Sequence, residues 1–227
     1  MNNFLEIKNL TKNYFNQKKI NVLKNLNYKF KKGKTYSLVG PSGSGKSTLL
    51  NILSLIDRPT NGNLFINNKK INFENISHND KIRSNNYGII YQEKNLLNDF
   101  TAQENIILAG IANGKSEIEC MRLTEKILKK LKLNNRTNHF PSELSGGENQ
   151  RIAIGRALIN SPNIIIADEP SGNLDHKNAK EFFKLLFSLK SKNRIIIYAT
   201  HNRFFANLAD CRLQLINGKL KSINARK

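Results

Sequence analysis

Only two cysteines occur in 227 residues, Cys120 and Cys211. They stand far apart and outside any C-x-x-C spacing, which argues against a disulfide or a thiolate metal site and leaves two reduced thiols without a functional role. Long hydrophobic runs are also missing. None approaches the ~20 apolar residues a membrane span requires. The longest, "IIIA" at 164–167 and "IIIY" at 195–198, suit buried strands. The opening "MNNFLEIKNL" has no cationic region followed by an apolar one, so no secretory signal is expected and the chain should stay in the cytosol. There is no internal repeat and no low-complexity linker. Acids are scarce: 17 Asp and Glu face 37 Lys and Arg, giving a net charge of +20. Yet the lysines come in small scattered groups, such as Lys31, Lys32 and Lys34 or Lys129, Lys130 and Lys132, and never as one long basic tract. That spread fits a solvated basic surface with some attraction to an anionic membrane leaflet, and nucleic acid is not an expected partner.

What is present fits one sizeable globular domain. Strand-like segments and turns fill the first third: "FLEIKNL", "NVLKNLNYKF" and "KTYSLVG", with asparagine and glycine turns in "PTNGNLFINNKKI" and later in "INGK". The middle turns helical, with Ile118, Met121, Leu128 and Leu131 at helical spacings and another helix beginning in "SELSGGENQRIAIGRAL". The last third alternates "NIIIADEP", "AKEFFKLLFSLK" and "RIIIYATH". Apolar strand, helix, apolar strand implies a parallel sheet buried on both faces. The expected architecture is an α/β core interrupted by a helical insertion at about 93–158.

"GPSGSGKS" at 40–47 matches G-x-x-x-x-G-K-[ST], between the strand-like "TYSLV" and the helix-like "STLLNILSLI". Gly40, Gly43 and Gly45 allow a tight loop whose N–H groups face phosphate oxygens, with Pro41, Ser42 and Ser44 completing it, and the new helix adds its positive end. Lys46 can reach the β- and γ-phosphates, Ser47 can offer its hydroxyl to Mg²⁺, and Thr48 suits the α-phosphate. In "NIIIADEP", Asp168 ends a strand where a carboxylate can hold Mg²⁺, and Glu169 can polarise the attacking water. His201 ends "IIIYATH" and can donate to the γ-phosphate. Gln92, in "IIYQEK", can contact metal or water and relay movement from the segment after it.

A second glycine-rich helix start lies at 145–148. Ser145 and Glu148 have the capping-box spacing. Gly146 and Gly147, however, would each cost about 1 kcal/mol relative to alanine. Bare glycines make sense where another molecule must approach the amides, and a phosphate suits a helix N-terminus. Because residues 40–48 already surround a nucleotide, Ser145, Gly146 and Gly147 are expected to complete the site of a second copy, packed head-to-tail.

The phosphate loop, "YQ", "LSGGE", "IIIADEP", "SGNLD" and "TH", in this order, resemble an ATP-binding-cassette (ABC) ATPase. The resemblance implies a P-loop NTPase core with a parallel sheet, an N-terminal antiparallel β subdomain and an inserted helical subdomain, with the core at about 1–92 and 159–227. It implies a sandwich dimer that closes on ATP and Mg²⁺, adenine stacking on Tyr14 (or Phe15), and a connecting loop at Asp175. Two positions depart from the family pattern, Glu148 where glutamine is frequent and Asn202 where an acid is frequent. "DEPSGNLD" resembles the group of lipoprotein-releasing, macrolide-export and cell-division ATPases, and "YQEKNLLNDFTAQENI" with "NHFPSELSGGENQRIAIGRALINSP" is most similar to its lipoprotein-releasing branch. That branch implies permease subunits in the inner membrane, lipoprotein cargo met only through them, and a peripheral position on the cytoplasmic face. By the same analogy, Gln92 to about Asn105 should meet a short cytoplasmic helix of the membrane subunit.

Overall fold

The computed structural model describes residues 3–16, 18–92 and 95–223. The chain divides into two compact units, residues 1–83 with 190–227, and residues 84–189.

The first unit holds two sheets. β1 (Asn3–Asn16), β2 (Lys18–Lys31), β4 (Asn61–Ile66) and β5 (Lys69–Lys70) form an antiparallel sheet in the order β2-β1-β4-β5. In the other, β3 (Thr35–Val39) runs parallel to both β8 (Ile195–Ala199) and β9 (Cys211–Ile216), while β10 (Lys219–Ile223) returns antiparallel to β9. β8, "IIIYA", is buried throughout, as an unbroken apolar run in a doubly covered strand should be. β3 leads through the phosphate loop into α1 (Lys46–Leu53), which buries Leu49, Leu50, Ile52 and Leu53. α2 (Ile76–Asn86) is polar and buries only Asn79, and the short α7 (Arg203–Ala206) is capped by Asn202.

In the second unit β6 (Tyr87–Ile90) pairs in parallel with β7 (Ile164–Asp168). Four helices accompany them: α3 (Ala102–Ile111), α4 (Glu117–Lys130), α5 (Gly146–Leu158) and α6 (His176–Ser188). Each begins at a side-chain cap, Thr101, Ser116, Ser145 and Asp175 respectively, so each start is fixed locally. Glycines let three of the helices approach closely. A Cβ on Gly110 would sit 2.5 Å from Cys120 Sγ, and one on Gly155 would sit 2.6 Å from Ile106 Cδ1. The helix expected around "SEIECMRLTEKILKKLKL" forms, but its inward stripe is Cys120, Thr124 and Leu128, whereas Ile118 and Met121 face outward. The α/β class, with an N-terminal antiparallel sheet, a parallel sheet and a set of inserted helices, is the one the sequence implied.

Candidate functional site

The phosphate loop joins β3 to α1 within the first unit. Gly43 and Gly45 have φ of 72° and 97°, the left-handed region that disfavours side chains. Gly40 is small for a different reason: an added Cβ would lie 2.3 Å from the Leu215 carbonyl oxygen of β9. Lys46 Nζ donates to the carbonyls of Gly40 (3.0 Å) and Pro41 (3.1 Å), and Ser44 N–H closes the turn onto Pro41 at 3.2 Å. Gly45 caps α1 without a side-chain bond, and no acid occupies the first turn, so the N-terminal amides of α1 remain available to an anion. Ser42 and Ser47 are exposed at the loop, and Ser44 Oγ is buried with no hydrogen-bond partner.

Further residues of this unit flank the loop. Tyr14 donates its hydroxyl to Asp57 at 3.0 Å and also bonds the Thr48 side chain. Burial and the Asp57 carboxylate raise its pKa, with the Thr48 bond opposing. Lys12 Nζ lies 4.8 Å from the Tyr14 ring centroid and donates to Asp57 at 2.7 Å, so one face of the ring is covered by an ammonium. Burial pushes the Asp57 carboxyl up, but its bonds from Lys12, the Arg58 amide and Tyr14 pull it below its ordinary value. Phe15 is 76% exposed and makes no comparable anchorage among the described residues. His201 lines a cavity of about 470 Å³ together with Gly40 and Pro41 of the loop and with Arg203 and Arg212.

The second unit carries the remaining candidates. Asp168, at the end of β7, has a buried Oδ1 with no hydrogen-bond partner. Glu169 follows at φ 42°, an uncommon conformation for a side chain of its size, of the kind that collects at functional sites. Gly172 N–H donates to the Glu169 carbonyl at 3.0 Å, and a Cβ on Gly172 would meet Gln92 Nε2 at 2.9 Å. Gln92 therefore lies across the turn that follows the two carboxylates. Asp175 caps α6, accepting from the N–H groups of Lys177 (2.9 Å) and Asn178 (3.0 Å) and from the Asn178 side chain. Asn178 Oδ1 also lies 3.2 Å from where a Gly147 Cβ would be. Asn178 thus sits between the α5 start and Asp175, and the pattern of the sequence did not single it out.

α5 begins with a complete capping box. Glu148 N–H donates to Ser145 Oγ at 3.3 Å, and Ser145 N–H donates to Glu148 Oε2 at 2.8 Å. The box leaves the amides of Gly146 and Gly147 without an acceptor in the helix, while the Ser145 side chain is itself bonded to the Glu148 carboxylate. The capping box therefore coexists with two glycine amides left open to an acceptor. Arg136, in the 3₁₀ turn Asn134–Arg136, donates Nε–H to Glu148 Oε1 at 2.9 Å. The bond to Ser145 first, and Arg136 second, hold the Glu148 carboxyl down to about 2.

A family model described as ABC transporter matches residues 23–172. The chain belongs to the ABC transporter family. Among relatives of this ABC transporter chain, the "Lipoprotein-releasing system ATP-binding protein LolD" of Wigglesworthia glossinidia brevipalpis is 44% identical, over 99% of this chain and 100% of the relative. The protein of the same name from Rickettsia bellii (strain RML369-C) is 43% identical, over 96% and 98%. An ATP-binding cassette solved as a dimer in a post-hydrolysis state, bound to ADP and Pi, has a TM-score of 0.88 and 36% identity, covering 98% of this chain and 99% of that one.

Proposed function

We propose that this ABC chain is the ATP-hydrolysing subunit of a transporter that releases lipoproteins from the bacterial inner membrane. The observation that carries the reading is the full-length similarity to proteins of that name, and the phosphate-loop motif at 40–47 supports it. The chain works as a head-to-tail pair with a second copy, bound to integral permease subunits at the cytoplasmic face, and meets lipoprotein cargo only through them. Among the described residues no helix is long and apolar enough to cross a membrane. In domain terms the chain is one cassette, with a core at about 1–92 and 159–227 and a helical lobe at about 93–158.

Tyr14 stacks on adenine with the face that Lys12 leaves open. The loop from Gly40 to Gly45 wraps the phosphates, Lys46 neutralises the β- and γ-phosphates, and Thr48 serves the α-phosphate. The residues fit Mg²⁺: Asp168 has an orphaned buried carboxylate oxygen, Ser47 is an exposed hydroxyl in the first turn of α1, and Gln92 adds an amide. Bound there, Mg²⁺ supplies charge neutralisation on the phosphates. Glu169 orients and polarises the attacking water, and His201 donates to the γ-phosphate. Ser145, Gly146 and Gly147 donate to the nucleotide of the second copy, and Asp175 lies on the loop that links the two sites.

Permease docking falls to Gln92–Asn105, of which residues 93 and 94 lie outside the described residues. Asn105 is buried and binds the segment through both ends of its amide. It accepts from Leu97 N–H at 2.8 Å and donates to the carbonyls of Leu97 (3.0 Å) and Phe100 (2.9 Å). Leu97 and Phe100 are thereby held at the surface, 47% and 38% exposed, as apolar contacts for a short helix. The test is purification from membranes with identification of what accompanies the chain. Permease subunits carrying bound lipoprotein support the reading; a drug-efflux adaptor or a cell-wall hydrolase regulator in their place rejects it.

A further inference from the structure

We propose that Arg136 is a positioning residue that neutralises Glu148, so that the start of α5 can receive the triphosphate held by a second copy. This rests on the reading of Ser145, Gly146 and Gly147 as facing a nucleotide. The first turn of α5 already has an anion of its own. Glu148 is fixed against it by the Ser145 amide at 2.8 Å. An acid there suits the helix in isolation, because its N-terminus is the positive end. It does not suit an arriving polyphosphate, which has the same sign and seeks the same amides. Protonation offers no relief, since Glu148 titrates far below neutrality.

Arg136 supplies the missing charge from outside the helix. It reaches Glu148 Oε1 at 2.9 Å from its 3₁₀ turn, using the oxygen that the capping box leaves free. Its NH1 lies 3.4 Å from His139 Nε2, so the guanidinium is also steadied on its far side. The Arg136 side chain is 45% exposed, and a pair so wet adds little to folding. Stability is a weak reason for the pair. Its position, on the carboxylate that caps the first turn of α5, is the stronger one.

The test is the ATP dependence of hydrolysis by the full chain assembled with its membrane subunits. Arg136→Ala should raise the half-saturating ATP concentration about tenfold, with turnover at saturation within about twofold, and the defect should shrink as salt screens the exposed carboxylate. Arg136→Lys should recover most of the loss. Removing the charge as well, in Arg136→Ala/Glu148→Gln, should return half-saturation to the value of Glu148→Gln alone. A double variant as impaired as Arg136→Ala, or an Arg136→Ala chain with unchanged ATP dependence, overturns the proposal. Ser145→Arg separates it from the reading beneath it. If Ser145→Arg blocks ATP-driven pairing while Arg136→Ala is normal, this inference alone falls; if Ser145→Arg behaves as the parent, both fall.

Discussion

The starts of α1 and α5 are both glycine-rich, and they are satisfied in opposite ways. α1 begins at Gly45 with no side-chain cap and no acid in its first turn, and Lys46 is pinned over the loop carbonyls. α5 is self-capped through Ser145 and Glu148, with its acid matched by Arg136. A helix end that keeps its amides unspent is committed to an anion. One that has satisfied half of them is stable with or without a visitor. On the proposed function, the pair divides into a start that holds nucleotide within one chain and a start that engages and releases the nucleotide of another.

Glu169→Gln should produce the largest effect, because it halts the cycle with both starts engaged. Hydrolysis should fall by about a hundredfold or more, with ATP binding kept and closed pairs accumulating in sedimentation. Next come changes that separate the two starts. Lys46→Ala should weaken nucleotide binding by single chains about a hundredfold, whereas Ser145→Arg should leave it within about threefold and abolish ATP-driven pairing. Equal loss of binding in both, read by nucleotide titration, would show that the starts are not distinct. The glycines sharpen the contrast in stability. Gly40→Ala drives a Cβ to 2.3 Å from the Leu215 carbonyl, and thermal unfolding should register about 1–3 kcal/mol of destabilisation. Gly147→Ala meets only the Asn178 side chain, at 3.2 Å, which must give slightly against its bond to Asp175, so stability should change by no more than about 1 kcal/mol, while pairing weakens.

The smallest effect concerns pH. Glu148 has its carboxyl lowered from 4.5 to about 2, so the folded state favours the ionised form. Its contribution is complete above about pH 4.5 and is lost as the pH falls toward about 2. The Tm difference between the parent and Glu148→Gln should stay constant near neutrality and close over that acid window. A difference that instead changed around neutral pH would contradict that assignment.

The strands and the phosphate loop were legible because their signals are local. "IIIA" and "IIIY" are too apolar and too short for anything but doubly covered strands, and G-x-x-x-x-G-K-S carries its own geometry. α2 was not legible: "ISHNDKIRSNN" has no apolar stripe, and only Asn79 is buried. On α4 the helix was readable and its inward face was not. Ile118 and Met121 are more apolar than Thr124, yet the facing Gly110 makes room for Cys120, and that selects the stripe. Cys120, which looked idle in the sequence, is a packing residue. Asp57 with Tyr14, Arg136 with Glu148, and Asn178 beside Gly147 join positions that no helical or strand period connects. They became visible only when the chain was folded.

The division between the two helix starts is tested most directly by mixing two chains that each fail alone. Lys46→Ala keeps an intact α5 start and lacks a working phosphate loop; Ser145→Arg has the reverse defect. Combined in one complex they rebuild one whole site, so ATP-dependent pairing should reappear in the mixture and be absent from either variant by itself. Pairing or turnover by Ser145→Arg alone at the parental level, or a mixture as inert as its components, would contradict it.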